Sequence, residues 1–357
     1  MKIAIVKTSA LGDIIHAFPA LSYLRLKFPA AQIDWVVEES FAELVSANPQ
    51  VDNIICVNTR SMRKSISAAW KGFSSARKRL RQDIYDVVFD FQGNIKSGLI
   101  VSQLRSPCKV GFGRKTVSEW PNCLFSGLRF NPPQFCNVRE ESLFLVQSYF
   151  GDKEQVVDSP VILNIDSDER IKIALLKQHP VMRCVDKVMV CPGSAWRNKQ
   201  ATTESLTGLL VKIHADRKCG FLFVWGSEEE RRVVEALAKS FPENSMVVEK
   251  LCLPTLQNLM RDVQLVVAMD SLPLHLAGTV GVATLGLFGP SSAQKYMPVG
   301  EQHSAFQGEC PYERTFVKRC PVLRSCQTGA CLRDVSGEQF YTTLGYKSGA
   351  SCECKPN

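Results

Sequence analysis

The 357 residues are 45% apolar and 22% charged, which excludes a disordered or fibrous chain, and they are too many for one ordinary core. No run of 18 apolar residues occurs, so nothing here is expected to span a bilayer as a helix. The net charge of +8 has a local source: Arg60, Arg63, Lys64, Lys71, Arg77, Lys78, Arg79 and Arg81 meet no acid until Asp83, a patch that suits either an anionic partner or a solvated helix face.

In chain order, Met1 to Lys7 reads as a strand rather than a signal peptide, because no basic start and no small-residue cleavage site accompany it. Ile14 to Phe28 carries helical apolar spacing through Ile15, Phe18, Leu21 and Leu24, and Ile33 to Val37 returns to strand. Strands at Val51 to Val57 and Tyr85 to Phe91 flank the basic stretch, and a helix follows at Ile95 to Leu104. From about Asp186 the rhythm restarts with strand Val188 to Cys191, helix Thr203 to Arg217, strand Phe221 to Trp225, helix Glu229 to Phe241 and strand Met246 to Val248. Helix Leu256 to Val263, strand Leu265 to Met269, helix Pro273 to Val280 and strand Ala283 to Phe288 complete it.

Strands alternating with helices imply parallel sheets. The fold class expected is therefore α/β, with two Rossmann-like doubly wound domains facing a cleft. They are placed at 1–165 and 166–335, followed by a cysteine-containing tail at 336–357. The segment Gly151 to Glu169 reads as the connection. Fourteen cysteines in a chain this large, without an export signal, read as reduced thiols of a cytosolic protein.

In such folds ligands sit at the carboxyl ends of strands, and four strand-to-helix junctions hold polar groups there. In the first, Lys7-Thr8-Ser9-Ala10-Leu11-Gly12-Asp13, Asp13 opens a helix. It is either a favourable dipole partner or a general base for a hydroxyl nucleophile. In the second, Asp90-Phe91-Gln92-Gly93-Asn94-Ile95-Lys96, Gln92 and Lys96 either bind an acceptor or tidy a turn. The third, Pro192-Gly193-Ser194-Ala195-Trp196-Arg197-Asn198-Lys199, offers backbone donors and a positive charge that suit a diphosphate. The fourth, Asp270-Ser271-Leu272-Pro273-Leu274-His275, has Ser271 as a helix cap, with Asp270, Ser271 and His275 able to converge beyond a strand end. A lone helical histidine is otherwise usually structural. Trp225-Gly226-Ser227-Glu228 adds an acid able to bind ribose, and Leu287-Phe288-Gly289-Pro290 a turn. Neither the P-loop nor the Gly-x-Gly-x-x-Gly spacing is present.

These junction motifs, in this order and from Met1 to about Pro290, resemble glycosyltransferase family 9, the bacterial heptosyltransferases of the GT-B fold. Lys7 to Leu21, Ile33 to Glu39, and Arg60 to Lys64 with Tyr85 to Gly93 look like its heptosyltransferase I branch in particular. The resemblance implies inverting transfer of L-glycero-D-manno-heptose from ADP-heptose to Kdo of Kdo-lipid A, in lipopolysaccharide inner-core synthesis. Asp13 would then be the base. Ser194, Ala195, Lys199, Glu228, Leu251, Asp270, Ser271, Leu272 and His275 would hold the donor, and Arg60, Arg63, Lys64, Gln92 and Lys96 the acceptor.

No cofactor and no metal are expected: Lys199 and the backbone at Ser271 supply the positive charge, and the sole Asp-x-Asp, Asp166-Ser167-Asp168, falls in the connection. Nor do Cys310, Cys320, Cys326, Cys331, Cys352 and Cys354 show Cys-x-x-Cys pairs. The location implied is cytoplasmic and peripheral to the inner membrane, with no nucleic-acid partner. Leu272 departs from the family, which usually has Gly there. A related family 9 transferase with another donor or acceptor, or an inactive GT-B protein binding anionic glycolipid, are the competing readings.

Overall fold

The computed structural model describes residues 1–58, 77–152 and 160–345. They fall into two compact units, Met1–Asn164 and Ile165–Asn357. The first unit contains β1 (Lys2–Val6), β2 (Gln32–Glu38), β3 (Asn53–Val57), β4 (Val87–Asp90), β5 (Lys109–Phe112) and β6 (Leu128–Phe130). They form one parallel sheet in the order β3-β2-β1-β4-β5-β6. The second contains β7 (Lys187–Cys191), β8 (Gly220–Phe223), β9 (Ser245–Val247), β10 (Leu265–Met269), β11 (Ala283–Phe288) and β12 (His303–Gln307). Its sheet is also parallel, in the order β12-β11-β10-β7-β8-β9.

Numbered from its own first strand, each sheet has the doubly wound order 3-2-1-4-5-6, whose direction of winding reverses between the first and fourth strands. That switch lies between β1 and β4 in the first unit, where Val6 stands opposite Asp90. In the second it lies between β7 and β10, where Cys191 stands opposite Ala268. The central strands β4 and β10 are buried along their whole length, as parallel strands covered on both faces must be. One face of the first sheet packs Ala4, Val6, Val36, Val88, Ile100 and Val101, and the second unit has its own core around Val190, Leu209, Phe221, Val267 and Leu285.

Several elements differ from the sequence reading. The single helix expected over Ile14 to Phe28 is two, Leu11–Ile15 and Phe18–Lys27. Pro19 has no N–H to donate back to Ile15, so it sits in the first turn of a new helix instead of continuing the old one. Strands β5, β6 and β12 and the helix Val138–Phe150 were not anticipated. Part of the expected tail is not a tail: Gly337–Gly345 is a helix, and its Phe340 is fully buried in the second core with Leu209 and Leu332. Asp166 of the Asp-x-Asp caps the helix Ser167–Leu176, its Oδ1 accepting from the Glu169 N–H at 2.9 Å.

Candidate functional site

Both switch points carry polar side chains. In the first unit, Asp13 lies in the helix after β1, with its side chain 40% exposed. Its Oδ2 accepts from the Ala10 N–H at 3.2 Å, so the carboxylate does close the start of its own helix. Its Oδ1 stands 3.9 Å from His16 Nδ1. The cap therefore occupies one oxygen and leaves the other edge of an exposed carboxylate for chemistry.

Beside it, Gln92 Oε1 accepts from the backbone N–H groups of Thr8 and Ser9 at 3.0 and 3.1 Å, tying the loop after β4 to the loop after β1. Lys96 is exposed in the first turn of the helix Ile95–Gln103. Arg60, Arg63 and Lys64 lie outside the described residues.

Two residues without an assigned role organise this end of the sheet. Asp90, fully buried at the end of β4, accepts from Ser97 Oγ at 2.9 Å, Asn122 Nδ2 at 2.7 Å, and the N–H groups of Gln92 and Gly93 at 2.9 and 3.1 Å. Burial raises its pKa, and these four donors only partly offset that. Lys7 donates to the Phe91 carbonyl at 2.8 Å. Burial lowers its pKa, opposed by the charges of Asp13, Asp90 and Glu141. Lys7 thus lies within the electrostatic field of the Asp13 carboxylate.

In the second unit the switch is more highly charged. Lys199 ends a short 3₁₀ turn, Arg197–Lys199, and its buried ammonium pairs with Asp270 Oδ2. It also donates to the Asp270 carbonyl at 3.3 Å. His275 Nε2 stands 3.4 Å from Asp270 Oδ1, and the Ser291 hydroxyl donates to Oδ2. Burial alone would raise the Asp270 pKa. The His275 hydrogen bond and the Lys199 charge overcome it and hold the carboxyl well below the usual range. Asp270 is therefore ionised at any working pH.

Ser271 begins the helix Leu272–Gly278 by its backbone but, against expectation, not by its side chain. The position that would receive the cap is Pro273, which has no N–H, and the next N–H, that of Leu274, already bonds the Ser271 carbonyl at 3.1 Å. The Ser271 hydroxyl is consequently buried with no hydrogen bond among the described residues. Leu272 is half-buried beside it.

The remaining expected donor residues are more loosely placed. The Ser194 carbonyl accepts from Gln200 Nε2 at 2.7 Å, Ala195 is exposed, and Leu251 is half-buried in the loop after β9. Glu228 is exposed at the head of its helix, 3.8 Å from Arg231. The acid that turns inward there is Glu230. It accepts from the Gly226 N–H at 2.7 Å and lies so close over Gly193 that a Cβ there would come within 2.1 Å of its carboxyl group. Among Glu228, Glu229 and Glu230, sequence alone offers no way to tell which will fold back. Ser291 was missed by one residue, just beyond the Leu287 to Pro290 turn.

The sequence signature of glycosyltransferase family 9 (heptosyltransferase) matches residues 73–325. The chain belongs to glycosyltransferase family 9. It is 29% identical over 299 residues to lipopolysaccharide heptosyltransferase 1 of Pseudomonas aeruginosa, covering 82% of this chain and 79% of that protein. The same-named protein of Escherichia coli K12 is 29% identical over 302 residues, with coverages of 82% and 88%. The solved E. coli heptosyltransferase WaaC with ADP superposes with a TM-score of 0.72 at 24% identity, covering 87% of this chain and 94% of that one. This family 9 enzyme therefore has the GT-B fold, and its class of chemistry is glycosyl transfer.

Proposed function

We propose that the chain transfers L-glycero-D-manno-heptose from ADP-heptose to Kdo of Kdo-lipid A with inversion at the sugar carbon. The observation that carries this reading is the likeness, across 82% of the chain, to relatives named lipopolysaccharide heptosyltransferase 1. In support, the solved E. coli relative has also been described with ADP-2-deoxy-2-fluoro heptose.

In this reading the Asp13 carboxylate takes the proton of the attacking Kdo hydroxyl as the new C–O bond forms. The bond from the sugar carbon to the diphosphate oxygen breaks, and ADP leaves with the electron pair. Lys199 receives the developing negative charge. Of its three N–H donors, Asp270 occupies two, which aims the ammonium and leaves the third for a phosphate oxygen. The Ser271 hydroxyl is a second donor, and the charge these groups supply lets transfer proceed without a metal ion. Ser194 and Ala195 flank the diphosphate, Glu228 the ribose, Leu251 the base, and Leu272 and His275 the heptose side. Gln92, Lys96, Arg60, Arg63 and Lys64 meet the acceptor's hydroxyls, carboxylates and phosphates. No helix of the described residues is long and apolar enough to cross a membrane. The basic segment then serves for peripheral contact with the anionic cytoplasmic face of the inner membrane.

The test is ADP release from ADP-heptose with and without Kdo-lipid A, in the absence of added metal, for the wild type and Asp13→Asn. Asparagine keeps an oxygen for the Ala10 N–H but cannot take a proton. Acceptor-dependent release should fall about 10²–10⁴-fold while ADP affinity is unchanged. Full turnover by Asp13→Asn would remove Asp13 from the base role, and no release by folded wild type would remove ADP-heptose from the reading.

A further inference from the structure

Three consecutive backbone N–H groups after β1 find their acceptors on side chains. Those of Thr8 and Ser9 donate to Gln92 Oε1 at 3.0 and 3.1 Å, and that of Ala10 donates to Asp13 Oδ2 at 3.2 Å. The Thr8 hydroxyl also reaches Gln92 Oε1, at 3.4 Å. One amide oxygen thus takes the two N–H groups that immediately precede the one closing on the Asp13 carboxylate.

The start of this loop is held independently. The Lys7 N–H donates to the Val36 carbonyl at 3.3 Å, the Glu38 N–H donates to the Thr8 carbonyl at 3.1 Å, and the Trp35 indole N–H donates to the Lys7 carbonyl at 3.1 Å. These bonds fasten residues 7 and 8 to β2. Further on, the Ala10 carbonyl accepts from the Ile14 N–H at 2.9 Å, inside the helix that carries Asp13. Ser9 joins the two parts, and among the described residues its hydrogen bond is to Gln92.

Gln92 is itself fixed from beneath. Its own N–H donates to Asp90 Oδ1 at 2.9 Å, so the buried carboxylate at the end of β4 sets the turn that delivers the amide. The orientation of that amide follows from its partners: backbone N–H groups only donate, so oxygen must face them. Its Nε2 makes no hydrogen bond among the described residues, which leaves that end for an acceptor hydroxyl.

We propose that Gln92 is a positioning residue for the transfer reaction: its Oε1 holds the Thr8–Ser9 turn and thereby keeps the Asp13 carboxylate presented to the acceptor. The proposal rests on Asp13 being the base. A carboxylate is drawn onto unpaired backbone donors, because charge-assisted hydrogen bonds are the stronger ones. With two of the three donors taken by Gln92, Asp13 spends one oxygen on the third and keeps the edge at Oδ1 exposed. Without Gln92, the Thr8 and Ser9 N–H groups lose their acceptor, and the anion already bonded to the adjoining N–H is at hand to replace it. Asp13 would then turn into the loop, and its oxygens would be occupied where a proton has to be received. The two ends of the Gln92 amide have separate duties: Oε1 positions the base, and Nε2 meets the acceptor.

The experiment measures acceptor-dependent ADP release by the full chain at saturating ADP-heptose and varied Kdo-lipid A, with substitutions that separate those duties. Gln92→Leu removes both ends and should lower kcat about 10–100-fold, the scale of a misplaced catalytic group. Gln92→Glu keeps oxygens for the two N–H groups and loses only the Nε2 donors, so it should restore most of kcat while acceptor KM stays raised. The same Gln92→Leu change made in the Asp13→Asn chain should cost less than about twofold further, because a residue acting through Asp13 has nothing left to position. ADP affinity should be unchanged throughout. If Gln92→Leu does not fold, Gln92→Ala takes its place in the same cycle. Losses that multiply across the cycle, a kcat unchanged by removal of the amide, or a failure of Gln92→Glu to restore kcat would each overturn the positioning role. Full turnover by Asp13→Asn, or no release by folded wild type, would instead remove the reading on which it rests.

Discussion

Two buried aspartates occupy the same place in the twin sheets, and their surroundings are opposite. Asp90 ends β4 and Asp270 directly follows β10, each the fourth strand of its unit and each beside the switch. Around Asp90 every hydrogen-bond donor is neutral: a hydroxyl, a side-chain amide and two backbone N–H groups. Around Asp270 stand Lys199 and His275 as well as a hydroxyl. Burial raises the pKa of both, but only the second environment reverses the shift. A parallel sheet leaves backbone N–H groups at its strand ends that a carboxylate can gather. What differs is whether the partners also bring charge. In the first unit the aspartate shapes a loop; in the second it holds the cation that we propose meets the diphosphate.

The largest effect that would sharpen this contrast is expected from Asp270→Asn. It leaves Lys199 buried against a neutral amide, and removing one member of a buried pair costs about 3–5 kcal/mol. Urea unfolding should show that loss in the second unit's transition, together with weakened ADP binding because Lys199 is no longer aimed. Asp90→Asn removes no ion pair. It converts one acceptor oxygen into an amide facing Ser97 and Asn122, a loss of about 1–3 kcal/mol, with ADP binding unchanged. Equal losses from the two substitutions would break the comparison, because charge would then not be what separates the sites.

The sequence was most legible where apolar period and burial coincide. The helix Thr203–Arg217 and the strands β10 and β11 have the expected bounds, since each is a long periodic or continuous apolar run. Strands β5, β6 and β12 are short or polar on one face, and neighbours in the sheet rather than local pattern make them strands. The helix Val138–Phe150 did carry readable signals: Asn137 and Glu140 form a capping box, and Gly151 ends it at φ 66°.

The candidate site divides in the same way. Asp13, Lys199, Asp270 and His275 were visible as polar residues at strand ends. Ser291 and Glu230 were not, because their roles depend on contacts across 21 residues and between two turns. Ser271 departs from the expected cap because Pro273, which suits a first helical turn, has no N–H for the hydroxyl to accept from.

The smallest expected effect is in pH dependence, and its sign separates the aspartates most cleanly. For Asp270 the folded pKa lies below the unfolded value of about 4, so its contribution is fully present above that value. It is lost only as pH falls below about 4 toward the depressed folded pKa. For Asp90 the folded pKa lies above the unfolded one. Between the two values the folded state binds more protons, so stability falls as pH rises through that window. Unfolding of the wild type, Asp90→Asn and Asp270→Asn across a series from neutral to acidic pH isolates each contribution by difference. The advantage of wild type over Asp270→Asn should shrink below about pH 4. Relative to Asp90→Asn, wild type should instead gain as pH falls through the raised Asp90 value. Slopes of the same sign would mean that Asp90 is held ionised by a positive charge, of which Lys7, already in its field, is the first to substitute.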